Sequence, residues 1–134
     1  MAQIWLAELG TPVVWKKKLT DFAGNNFGPM FSADGKMIYY VSDESETPNV
    51  WKMDLNGGHK AQVTKHKGDG VRNMRLSANG AKMVYEYESQ IYIADAKSGE
   101  AHPVNIEAPC DDRDNVLRRQ VFDSANQYAV SPDG

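Results

Sequence analysis

The chain has 134 residues, 41% of them apolar and 25% charged, with a formal net charge of −3. That length fits one domain, the balance excludes wholesale disorder, and no apolar run approaches the ~20 residues a spanning helix needs. The acidic surplus argues against a dedicated nucleic-acid binder, which carries basic excess.

Taken in order, the chain predicts strands throughout. Residues 4–9 form a first apolar strand, and a second ends at Leu19-Thr20. Gly24-Asn25-Asn26 is a loop; no helix follows it, so it is not a phosphate-binding glycine motif. A strand then runs into Met30-Phe31 and reaches Asp34-Gly35, where Gly tolerates positive φ and Asp can bond its own backbone two residues on. Residues 37–41 are apolar at successive positions, as in a strand covered on both faces. In residues 50–55, Trp51, Met53 and Leu55 share one face while Lys52 and Asp54 share the other. Asn56-Gly57-Gly58 turns the chain. Residues 60–64 are more polar, as an exposed edge should be. Residues 111–122 have partial helical spacing, but a strand over 117–122 fits the pattern better.

Three landmarks recur in phase. The first is a turn, at Ser32-Ala33-Asp34-Gly35, Ser77-Ala78-Asn79-Gly80 and Ser131-Pro132-Asp133-Gly134. The second is a strand bearing an aromatic residue: Gln3-Ile4-Trp5-Leu6-Ala7-Glu8, Asn49-Val50-Trp51-Lys52-Met53-Asp54 and Gln90-Ile91-Tyr92-Ile93-Ala94-Asp95. The third is a strand end, at Leu19-Thr20, Val63-Thr64 and Val104-Asn105. The period is 41–46 residues, stretched to 54 between the last two turns, which places a long insertion around residues 108–115. Four-stranded units at this period are the signature of a β-propeller. One such sheet cannot cover its own two faces, and radial stacking covers each with its neighbour.

The pattern Ser-x-Asp-Gly-Lys-x-Ile-x-Tyr-x-Ser-Asp across residues 32–43 is followed by Val50-Trp51, Asp54, Gly57-Gly58 and Val63-Thr64. It resembles the WD40-like PD40 repeat of TolB-type propellers and of tricorn-type serine proteases, and resembles most the N-terminal propeller of the latter. Asn79, Ala81 and Glu8 depart from that pattern. The resemblance implies an all-β, partial β-propeller of four-stranded antiparallel blades, about 2.75 of them. It divides the chain into residues 1–22 (the last two strands of a first blade), 23–66 (a second blade), 67–107 (a third) and 108–134 (an insertion loop and the first strand of a fourth). On that division the chain looks truncated. Its expected partners are then the rest of a parent chain or another copy of itself, with peptides or proteins as further ligands. Location is left open between cytoplasm and periplasm, because a leader could lie upstream.

Few side chains suggest chemistry. Cys110 has no second cysteine to pair with. His59 and His102 lie at similar phases, but equivalent points on adjacent sheets are separated by ~10 Å, too far for one ion. With His66 they read as surface histidines. Asp111, Asp112 and Asp114 lack the Gly and distal Glu of a calcium loop. No serine sits in Gly-x-Ser-x-Gly. Trp5, Trp51 and Tyr92 read as packing between blades. Lys16-Lys17-Lys18, Lys65-His66-Lys67 and Arg118-Arg119 read as edge protection. No catalytic, metal or cofactor-binding residue is assigned and no cofactor is expected. The resemblance implies a non-catalytic module that steers peptides or mediates domain contacts in a protease whose catalytic groups lie elsewhere. The alternative is a TolB-like interaction scaffold without an enzyme.

Overall fold

Ten strands make up residues 1–107, the part of the chain that the computed structural model describes. They are β1 (Trp5–Glu8), β2 (Val14–Lys18), β3 (Asn26–Phe31), β4 (Met37–Ser42), β5 (Asn49–Asp54), β6 (Ala61–Gln62), β7 (Arg72–Leu76), β8 (Lys82–Tyr87), β9 (Gln90–Asp95) and β10 (Ala101–Pro103). Every pairing is antiparallel: β1 with β2, then β3-β4-β5-β6, then β7-β8-β9-β10. The fold is all-β, with two complete four-stranded blades and a two-stranded sheet before them. The expected insertion, the first strand of a fourth blade and the third turn fall in residues 108–134. So do Cys110, Asp111, Asp112, Asp114 and Arg118-Arg119. All lie outside the described residues.

The repeat holds at the level of individual bonds. In the β3–β4 turn the Ser32 hydroxyl donates to Asp34 Oδ1 (2.6 Å), and the Lys36 amide donates to the same oxygen (3.1 Å). In the β7–β8 turn Ser77 and Ala81 do the same to Asn79 Oδ1, at 2.8 and 3.1 Å. Asn79 therefore keeps the geometry although it replaces Asp, because only its carbonyl oxygen is used. Both first strands also bulge at one repeat position, where Gly28 (φ 60°) and Asn73 (φ 50°) have left-handed backbone.

Strand alternation then assigns faces. Ile38 and Tyr40 pack with Ile4 and Leu19 of the first sheet, whereas Tyr39, Val41 and Val50 pack with Val71, Met74, Met83 and Tyr85 of the third. The middle blade is thus buried on both sides, as its uninterrupted apolar strand predicts. Trp51, Met53 and Leu55 share the face toward the first sheet, as expected.

The fourth strand of the middle blade is shorter than expected: β6 covers Ala61–Gln62 instead of residues 60–64. The Val63 and Thr64 amides both turn to the Val50 carbonyl (2.8 and 3.3 Å), and the Val50 amide donates to Thr64 Oγ1 (2.9 Å). A side-chain oxygen takes the place of the next ladder carbonyl, so the strand ends there.

Candidate functional site: the seams between blades

The two interblade seams hold most of the buried side chains, and the sheet on the N-terminal side of each is tied by the same clasp. In the first, the Ile4 amide donates to Thr20 Oγ1 (2.9 Å), whose hydroxyl donates to Gln3 Oε1 (2.8 Å), and Gln3 Nε2 donates to the Phe22 carbonyl (2.8 Å). In the second, Thr64 donates to Asn49 Oδ1 (2.9 Å), and Asn49 Nδ2 donates to the His66 carbonyl (3.1 Å). The His66 amide donates back to Asn49 Oδ1 (2.8 Å). The clasp fixes the start of the link to the next blade. It also sets Phe22 and His66 at one repeat position.

Beyond the clasp the two seams differ. His66 is not a surface histidine: it is partly buried against the third blade. Its ring stacks on Tyr87 with centroids 3.9 Å apart and meets Tyr85 and Tyr92 edge-on at 5.5 and 5.6 Å. Nε2 lies 2.8 Å from the Tyr85 hydroxyl, and the Tyr87 hydroxyl donates to the Lys67 carbonyl at 2.6 Å. Burial holds the imidazole pKa below its ordinary value, with the Glu88 carboxylate pulling the other way. In the first seam Tyr40, at the position of Tyr85, is fully buried, and its hydroxyl has no hydrogen-bond partner among the described residues.

The other two histidines are exposed, and among the described residues no three metal-ligating side chains converge. His59 sits 2.7 Å from Asp54 Oδ2. Asp54 and Asp95 serve the turns after β5 and β9. The Asp54 pKa is lowered first by His59 and then by the Gly58 amide, and that of Asp95 by the Ser98 and Lys97 amides. At the turn end of the second seam, Asp34, Tyr39, Lys52, Asn79 and Lys97 line a groove of about 470 Å³.

The repeat-equivalent aromatics do not share one environment. Trp51 packs into the first seam and Tyr92 into the second, each facing the preceding sheet. Trp5 points the same way from β1, where no described sheet precedes it, and is 54% exposed. It meets Trp15 edge-on at 6.2 Å, and Trp15 is 68% exposed. The opposite outer face, on the third blade, leaves Val84, Ile91, Val104 and Ile106 open to solvent. A depression of about 600 Å³ lies over the last three. The Lys16-Lys17-Lys18 run lies on edge strand β2 as expected, with Lys16 2.6 Å from Glu8.

No family model matches the sequence. The chain is 35% identical over 69 residues to the Tol-Pal system protein TolB of Helicobacter hepaticus, covering 52% of this chain and 16% of that one. It thus spans under a fifth of that curated relative. Among solved structures, TolB from Acinetobacter baumannii superposes with a TM-score of 0.63 at 24% identity, over 75% of this chain and 26% of that one. The tricorn protease does so with a TM-score of 0.63 at 20% identity, over 80% of this chain and 10% of that one. The described strands have the fold of part of a TolB-like β-propeller, and the tricorn protease shares it.

Proposed function

We propose that this chain is a non-catalytic β-propeller module that works as a protein-interaction scaffold, in the manner its similarity to TolB suggests. The observation that carries the reading is the pair of outer faces. Trp5 occupies the position at which Trp51 and Tyr92 are packed by a preceding sheet. Ile91 occupies the position at which Ile4 and Val50 are packed by a following one. Both faces are half-interfaces of a kind the chain itself completes twice, and contiguous apolar surface of this sort marks a binding face. Further blades of the same ring, from a longer chain or another copy, are the partners that fit. A second reading, a propeller that steers peptides within a tricorn-like protease, is favoured by the superposition on the tricorn protease over 80% of this chain.

Sedimentation velocity tests the interface: the chain should self-associate as concentration rises, and Trp15→Ser should weaken that association. A monomer at every concentration, or association indifferent to the change, overturns it. A photo-crosslinking residue at position 15 separates the two readings. Crosslinks to folded proteins support the scaffold; crosslinks confined to short peptides favour peptide steering.

A further inference from the structure

We infer that His66 is a proton-sensitive latch between the second and third blades, closed when its imidazole is neutral and loosened when it takes up a proton. Two things carry it: where the ring sits and what its hydrogen bond requires. His66 belongs to the link that leaves the middle blade, and its backbone is held there by Asn49 through bonds of 2.8 and 3.1 Å. Its side chain reaches the next blade, stacks on Tyr87 and touches Tyr92 edge-on. Nε2 and the Tyr85 hydroxyl are 2.8 Å apart.

The Tyr85 side chain is buried, 2% exposed, and among the described residues this is the one hydrogen bond its hydroxyl makes. In the neutral tautomer carrying its proton on Nδ1, Nε2 accepts the phenolic proton and the Tyr85 hydroxyl is satisfied. In the imidazolium both ring nitrogens carry protons. Nε2 must then donate, the Tyr85 oxygen must accept, and the phenolic hydrogen is left without an acceptor in a buried seam. That mismatch, with a charge placed among three tyrosine rings, disfavours the closed seam at low pH. The face of Tyr87 offsets part of it by attracting the cation.

The charged and titratable groups around the ring are few. Lys65 and Lys67 flank it in sequence. Glu88, in the β8–β9 turn, favours a positive charge on the ring. From β8 come Tyr85 and Tyr87, from β9 Tyr92, and from β5 the neutral Asn49. Burial is the larger influence on the imidazole. The latch therefore contributes fully above the ordinary histidine pKa and is lost as pH falls through the lower value of the folded state. The first seam has no such device, since Phe22 stands where His66 does.

The test uses the whole chain. Its three imidazoles are followed by NMR, and its melting temperature is measured, from about pH 8 to about pH 5. His66→Phe supplies the ring that the first seam already carries. Tyr85→Phe keeps the phenyl and removes the hydroxyl. The expected results are a His66 titration below the ordinary value of about 6.5, and a melting temperature that falls on acidification in the parent chain. That fall should vanish in His66→Phe and shrink in Tyr85→Phe. His59 and His102 remain in every variant, so whatever they add to the pH slope is common to all. A His66 titration at or above the ordinary value overturns the latch even where a variant fails to fold. So does a pH slope that is the same with and without the imidazole, or one that survives intact without the Tyr85 hydroxyl.

Discussion

Gly99 lies so close to Val63 that a Cβ at Gly99 would fall 1.9 Å from the Val63 carbonyl oxygen. The turn after β9 therefore packs directly on the backbone of the preceding blade. Gly57 makes the same approach to the Leu19 carbonyl one seam earlier, at 2.7 Å. Both glycines also have left-handed backbone, φ 75° and 80°. Gly99→Ala should thus suffer two penalties, the conformational one and a clash against a backbone atom that cannot step aside. Gly35, φ 67° with nothing near its missing Cβ, isolates the first. Urea unfolding should show Gly35→Ala costing ~1–2 kcal/mol and Gly99→Ala costing about 3 kcal/mol or more. Equal losses would mean that the turn does not press on Val63.

Thr64→Val tests the clasp. The change keeps shape but leaves the buried Val50 amide without its acceptor and Asn49 Oδ1 without one of its donors. A buried amide stripped of its partner costs about 1–3 kcal/mol, so urea titration should show a loss near 2 kcal/mol. Thr64→Ser should retain most of the stability, because it keeps the oxygen.

The repeat, and with it the blade, is legible in the sequence because its markers are local. An Asp-Gly or Asn-Gly turn and an aromatic strand declare themselves within a few residues. The clasp is partly visible: Leu19-Thr20 and Val63-Thr64 stand out as strand ends. Their partners Gln3 and Asn49 sit 15–17 residues earlier, however, and only pairing the two landmarks would join them. His66 reads wrongly as a surface residue because its neighbours Tyr85, Tyr87 and Tyr92 belong to the next blade, and flanking lysines make it look solvated. The exposure of Trp5 cannot be read from its equivalence to Trp51, since equivalence fixes the direction of a side chain and not what covers it.

The paired tyrosines make opposite predictions from one deletion. The Tyr40 hydroxyl is buried without a partner among the described residues, whereas that of Tyr85 is bonded to His66. Removing an unsatisfied buried group relieves a desolvation cost, while removing a bonded one exposes its partner to the same cost. Thermal melts at neutral pH should show Tyr40→Phe neutral or stabilising and Tyr85→Phe destabilising by about 1–2 kcal/mol.

Alkaline pH offers a separate check on the same side chains. Burial pushes the phenols of Tyr40 and Tyr85 up to about 12, against about 10 in the unfolded chain. A raised folded pKa means that the contribution is complete below the unfolded value and is lost as pH rises through the folded one. Stability should therefore decline from about pH 10 upward. The decline should be shallower in either Phe variant. Ultraviolet absorbance of the phenolates, followed with circular dichroism, would register whether unfolding accompanies their ionisation.

Val50 and Ile91 occupy one position of the repeat and face the same way, yet one is fully buried and the other 43% exposed. Lysine at the two sites should therefore separate folding from assembly. Val50→Lys places an ammonium inside the second seam among buried apolar side chains, and a loss above about 4 kcal/mol is expected, enough to abolish a cooperative transition. Ile91→Lys can turn its charge to water and should leave the melting temperature of the isolated chain nearly unchanged. Its effect should appear in sedimentation, because under the proposed assembly the partner would then have to cover a charge. If Ile91→Lys unfolded the chain as Val50→Lys does, that face would already be covered. If it left association untouched, the outer face of the third blade would not be where copies meet.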